Sequence, residues 1–132
     1  ASLPLPGYKT EGAVAFDFYS RVDAALAPKE KKILPSNFII EVPQGYALLV
    51  VARSGTPKKG IMLANGIGII DCDYHGPKDE IGIWVWNFTD VPIEIKSGDR
   101  IAQGLIVPIA RVEFEEASQI KESSRGGFGS TG

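Results

Sequence analysis

The chain carries 132 residues, 44% of them hydrophobic and 23% charged, with a formal net charge of -2. That length supports one domain with a true core, and the slightly acidic balance argues against a binder of duplex nucleic acid that works by neutralising phosphates. A single cysteine excludes an internal disulfide and fits a reducing compartment. No apolar run approaches membrane-spanning length, and the opening ASLPLPGYKTEG lacks the pattern of a signal peptide. The sequence reads as a cytoplasmic or otherwise intracellular protein with neither nucleic-acid nor membrane partners.

Residues 1–12 hold two prolines and no periodicity, which predicts an extended lead-in. AVAFDFY (13–19) reads as a strand, with Asp17 in an apolar setting that demands a partner or a metal. Residues 21–32 read as a polar connection; 22–26 allows a short helix, which Pro28 would stop. Ile33-Leu34 and FIIEV (38–42) read as strands punctuated by Pro35 and Pro43. YALLVVA (46–52) is a continuous apolar run, expected to be buried on both faces. Thr56-Pro57-Lys58-Lys59 suits one helical turn capped by the hydroxyl. Residues 61–64 read as a strand, and Asn65-Gly66 as a hairpin turn.

Residues 77–79 form a polar loop tip. EIGIWVWNF (80–88) is a strand with apolar residues on both faces, which implies a sandwich interior or a face covered by another subunit. Residues 91–95, RIAQGLIVP (100–108) and 111–115 complete the set of about ten short strands. From Ser118 the chain turns polar and ends RGGFGSTG. Many short strands at turn spacing predict an all-β sandwich or jelly roll.

GIIDCDYHG (68–76) concentrates the chemistry. If it continues as a strand, Asp71 and Asp73 share one face and Cys72 points the other way. His75 is the only histidine, so neither a Ser-His-Asp nor a Cys-His mechanism is supported, and a structural zinc site lacks ligands. There is no P-loop. What remains is Asp71 with Asp73, isolated Asp17, and polar residues at strand ends: Arg53, Ser54, Asn65, Arg100 and Gln103. Carboxylates with few nitrogen ligands suit Mg²⁺ bridging acids to phosphates. An acid, a metal and cations aimed at phosphates suggest water attacking a phosphate. In the tail, Gly126, Gly127 and Gly129 would let backbone N–H groups face phosphates, Phe128 could stack on a base, and Arg125 could reach a terminal phosphate.

Five pieces, in order, resemble the motifs of the homotrimeric dUTPases: AVAFDFYS (13–20), ARSG (52–55), NGIGIIDCDYHG (65–76), GDRIAQGLIVP (98–108) and RGGFGSTG (125–132). The resemblance covers essentially the whole chain. It implies a distorted jelly roll of the β-clip type, assembled as a homotrimer whose active sites draw on three chains. The implied reaction is hydrolysis of dUTP to dUMP and pyrophosphate with Mg²⁺, which limits uracil in DNA and supplies dUMP for thymidylate synthesis. Asp71 would be the general base for water attacking the α-phosphorus. Asn65 and the backbone of 66–70, with Gly68 and Ile70, would bind uracil's polar edge, and Tyr74 would pack under the sugar. Arg53, Ser54, Gly55 and Gln103 would serve the phosphates, with Arg100 in a charge-balancing role. Asp17 would hold Mg²⁺ through a water. Asp73 would shape the turn. Residues 1–122 would form the β domain, and 123–132 a lid carrying Arg125, Phe128, Gly129, Ser130 and Thr131 over a neighbouring subunit. Two departures mark this chain: Arg125 stands closer to Phe128 than in the family pattern, with Ser123 at the usual arginine position, and the loop 75–80 is longer.

Overall fold

A computed structural model gives the fold and describes residues 3–120 and 122–129. Among these are nine strands and one 3₁₀ turn: β1 Phe16–Tyr19, β2 Ala24–Leu26, β3 Lys31–Pro35, β4 Tyr46–Val51, the turn Pro57–Lys59, β5 Ile61–Leu63, β6 Gly68–Ile70, β7 Gly82–Asn87, β8 Ile93–Ile95 and β9 Arg100–Pro108. They form three antiparallel sheets, ordered β1-β9-β4-β6, β2-β8 and β3-β7-β5. The all-β expectation holds. The last strand lies between the first and the fourth, so the two ends of the strand sequence share one sheet. No helix among the described residues is long and apolar enough to cross a membrane.

The core is one cluster that includes Phe18, Leu26, Leu34, Leu48, Ile61, Val85 and Ile101. Removing such side chains from water is the main drive for folding. Gly104 explains how two strands come so close: a Cβ there would stand 2.6 Å from the Phe18 ring and 3.0 Å from Leu48. Asn87 is the fully buried polar hub. Its Nδ2 donates to the carbonyls of Leu26, Ala27 and Val91 at 3.2, 3.1 and 2.7 Å, and its Oδ1 accepts from the backbone N–H and hydroxyl of Thr89. It thereby ties the end of β2 to the link between β7 and β8.

Several elements differ from the sequence expectation, each for a local reason. Residues 22–26 are not helical: Ala24–Leu26 is recruited as a strand by β8. No strand forms over 38–42, because Asn37 takes a left-handed φ of 72° and redirects the chain after β3. That stretch is held instead by the Ile81 N–H donating to the Phe38 carbonyl. Residues 111–115 form no strand among the described residues and are exposed. Gly66 turns with φ 73°, and its N–H reaches the Leu63 carbonyl. Yet β5 pairs with β7 and β6 with β4, so the turn passes the chain between sheets rather than closing a hairpin. On β7, Ile83, Val85 and Asn87 are buried while Trp84 is 42% exposed, so a single chain covers one face of this strand, not two. On β4, Ala47, Leu48 and Val50 are buried, Leu49 and Val51 half-buried and Tyr46 exposed, so burial on both faces is incomplete.

Candidate active site

Register brings three of the sequence motifs to one end of the four-stranded sheet. Asp17 on β1 lies opposite Gln103 on β9, and Gln103 lies opposite Val51 on β4. Two residues beyond Val51, Arg53 folds back, and its Nε donates to Asp17 Oδ1 at 2.8 Å. Gln103 Nε2 donates to the Ala52 carbonyl at 3.1 Å, which spends one of its two amide hydrogens and leaves the other. Arg100 Nη1 stands 3.7 Å from the other Asp17 oxygen, Oδ2. A bulge makes that reach possible. The pairing shifts between Phe18 and Tyr19, so that Tyr19 faces Arg100 and Ile101 is the extra residue. Ile101 and Ala102 are both buried in succession, which breaks the alternation and turns Arg100 to the side of Asp17.

Ser54 follows, exposed, with Gly55 half-buried. The turn that presents them is fixed by a residue the sequence reading assigned elsewhere. Thr56, 3% exposed, makes no cap bond for the 3₁₀ turn. Its hydroxyl accepts instead from the Arg53 N–H at 2.9 Å, while its own N–H donates to the Arg53 carbonyl at 3.0 Å. A hydroxyl three residues after the arginine was the available signal, because Ser and Thr side chains satisfy nearby backbone N–H groups in turns.

The third motif runs along the outer strand of the same sheet. Val50 pairs with Gly68 and Leu48 with Ile70. Gly68 therefore sits beside the end of β4 that leads to Arg53. A Cβ on it would meet the Val50 Cβ at 3.3 Å and Asn65 Nδ2 at 3.5 Å, so its absence lets the Asn65 side chain lie close. The outer edge of β6 has no strand partner among the described residues, and exposed Ile67 and Ile69 flank it.

Asp71 lies at the opposite end. The strand stops at Ile70, and the Tyr74 N–H closes a turn on the Asp71 carbonyl at 3.3 Å. Asp71 and Asp73 are therefore turn residues rather than strand residues, yet both are exposed while Cys72 between them is half-buried. Asp71, Cys72 and Asp73 all line one cavity of 310 Å³, with Tyr46, Ile109 and Arg111 on its other walls. Cys72 also packs against the hydrophobic core, so it turns inward between the two exposed acids. Tyr74 is 39% exposed next to this turn. Asp17, and the Arg53 guanidinium on it, lie level with Val51, while Asp71 follows the Leu48–Ile70 pair; four positions at about 3.4 Å along the strands and three spacings of about 4.8 Å from β1 to β6 put them roughly 20 Å apart. One chain thus gathers Asp17, Arg53, Ser54, Gly55, Gln103 and Arg100 in one place and holds Asp71 well away.

A sequence profile of the dUTPase family matches residues 1–132. The chain belongs to the dUTPase family. It is 42% identical over 137 residues to the deoxyuridine 5'-triphosphate nucleotidohydrolase of Dictyoglomus turgidum, an alignment covering 98% of this chain and 91% of that one. The enzyme of the same description from Zymomonas mobilis is 40% identical over 135 residues, covering 100% of this chain and 90% of the relative. Among solved structures, the dUTPase of Staphylococcus bacteriophage 80alpha with dUpNHpp superposes with a TM-score of 0.85 at 26% identity, covering 98% of this chain and 92% of that one. The jelly-roll-like dUTPase fold foreseen for the chain is the one it adopts.

In this dUTPase chain, the last strand ends at Pro108, and residues 109–120 are exposed and without strands. Phe114 is 94% exposed, and Phe128 is fully exposed among the described residues. Gly126 and Gly129 take left-handed φ values of 91° and 86°, conformations that glycine allows at no steric cost. Arg125, Phe128 and Gly129 thus stand off the body of their own chain. Ser130 and Thr131 lie outside the described residues.

Proposed function

We propose that this chain hydrolyses dUTP to dUMP and pyrophosphate, in a homotrimer whose sites are shared between chains. The observation that carries the reading is the pairing of a phosphate-directed cluster around Arg53 with an acid, Asp71, held roughly 20 Å away on the same chain. Such a pair becomes a working site only if Asp71 comes from one protomer and Arg53 from another. A closed three-fold arrangement gives each cluster one such acid. Exposed Ile33, Met62 and Trp84 support assembly: Ile33 pairs with Trp84, and Met62 neighbours them across β7, which makes an apolar face on the β3-β7-β5 sheet.

Within the shared site, Asp71 takes the proton from a water that attacks the α-phosphorus, and pyrophosphate leaves. Ser54 and the spare amide hydrogen of Gln103 donate to phosphate oxygens, and Arg53 offsets their charge. Asn65 and the open backbone edge of β6 read uracil's polar edge, with Gly68 and Ile70 in that strand, while the Tyr74 ring packs under the sugar. The tail from residue 123, with Arg125, Phe128 and Gly129, closes over a neighbour's site as a lid; Ser130 is assigned to it from the sequence alone.

Mg²⁺ is the cofactor of the proposed reaction, and it would offset charge on the triphosphate. Among the described residues no group of three His, Cys, Asp or Glu could hold it. Mg²⁺ commonly keeps its waters and takes phosphate oxygens as ligands, which suits an ion that arrives on the nucleotide. Asp17, the carboxylate expected to reach it, has Arg53 on one oxygen and Arg100 near the other, so it does not fit as a free ligand.

Pyrophosphate release from dUTP with Mg²⁺ tests the activity. Asp71→Asn should lower turnover by at least about a hundredfold, and a variant that retained wild-type turnover would remove Asp71 from the mechanism.

A further inference from the structure

The cluster around Asp17 carries a more specific assignment, which rests on the reading above. We propose that Asp17 is a positioning residue that clamps Arg53 and Arg100 for the substrate's phosphates, and that it does not hold the metal. Its side chain is only 12% exposed, and both oxygens face guanidinium groups, at 2.8 Å and 3.7 Å. Two guanidiniums around one carboxylate leave a net single positive charge, which attracts a triphosphate and repels a divalent cation. Arg53 is itself largely covered, with 22% of its side chain exposed. Free of its partner, that long side chain would sample other rotamers, and ordering it would fall on each binding event.

The backbone is arranged for this clamp. The Asp17–Gln103–Val51 register aligns the carboxylate with the start of the Arg53 turn. Thr56 fixes that turn through the Arg53 N–H. The bulge opposite Tyr19 delivers Arg100 from the other side. Three separate features of the sheet thus converge on the pairing of the two cations with Asp17, and none of them opens the carboxylate to an ion in solvent.

Asp17→Asn, Arg53→Gln and the double variant test the assignment. Affinity for the non-hydrolysable analogue dUpNHpp is measured in EDTA, and the Mg²⁺ concentration for half-maximal dUTP turnover is measured separately. Wild-type turnover, taken first, tests the activity itself, so its failure is distinct from failure of the clamp. In EDTA, Asp17→Asn should weaken dUpNHpp binding about tenfold, Arg53→Gln similarly, and the double variant little further, because the two act as one unit. The Mg²⁺ midpoint of Asp17→Asn should stay within about twofold of wild type, as the clamp requires. Unchanged affinity in EDTA, or a Mg²⁺ midpoint raised about tenfold, would overturn the proposal, since a metal holder loses the metal. If Asp17→Asn does not fold, Arg53→Lys serves. It removes the Nε donor while keeping charge, so affinity in EDTA should fall with the Mg²⁺ midpoint unmoved; unchanged affinity in EDTA would refute the clamp.

Discussion

Replacing Thr56 with valine keeps the volume and β-branching of a side chain that is 3% exposed and deletes one oxygen. That oxygen accepts from the Arg53 N–H at 2.9 Å in a part-buried setting. The N–H would be left with poor access to water, at a cost of about 1–2 kcal/mol. In a chain of 132 residues, this corresponds to a melting temperature lower by roughly 3–8 °C. Arg53 and Ser54 would be held less firmly, so KM for dUTP should rise more than kcat falls. Thr56→Ser restores the hydroxyl and should recover most of the KM effect. Melting is followed by circular dichroism at one fixed protein concentration, because subunit association shifts the midpoint. A valine variant with wild-type melting temperature and KM would refute the idea that the hydroxyl fixes the turn.

Other perturbations probe the framework. Asn87→Ala removes a fully buried side chain that serves three carbonyls and Thr89, and should cost about 3–5 kcal/mol, read as a lower denaturation midpoint in urea. Gly104→Ala would set a methyl 2.6 Å from the Phe18 ring; strain of about 1–3 kcal/mol should appear in the same assay. Glu80 takes two hydrogen bonds from the Arg21 guanidinium and one from the Asn37 N–H, and the Arg21 bonds pull its carboxyl below the usual value of 4.5. Because the folded state holds the charged form better, this contribution is complete above pH 4.5 and is lost as the pH falls through the lowered value. Glu80→Gln should therefore melt a few degrees lower than wild type at pH 7, with the gap closing in acid; an equal gap at pH 3 would contradict the pairing.

The long apolar runs were legible because a strand inside a sheet must bury its side chains: 46–52 and 100–108 became β4 and β9 almost as bounded. β2 was not legible, since Ala24–Leu26 has little strand character and is paired only because β8 lies beside it. The apolar stretch 38–42 misled, because the left-handed Asn37 turns the backbone before a ladder can form. At the site, the sequence motifs named the residues but not their distances. That Arg53 meets Asp17 depends on β9 lying between β1 and β4. That Asp71 stands apart depends on Gly68 pairing with Val50. Both are facts of register between segments far apart in the chain, and local pattern does not encode them.

The claim that Asp71 and Arg53 work together only across chains has a direct measurement. Asp71→Asn and Arg53→Gln proteins are mixed in equal amounts, unfolded and refolded together, and assayed at dUTP well below KM, where each alone should keep about a tenth of wild-type turnover or less. If each site takes Asp71 from one protomer and Arg53 from another, random assembly leaves roughly a quarter of sites intact, and about a quarter of wild-type activity should return. If the mixture, shown by native mass to contain hybrids, is no more active than its parts, both residues serve the same chain's site and the account is contradicted.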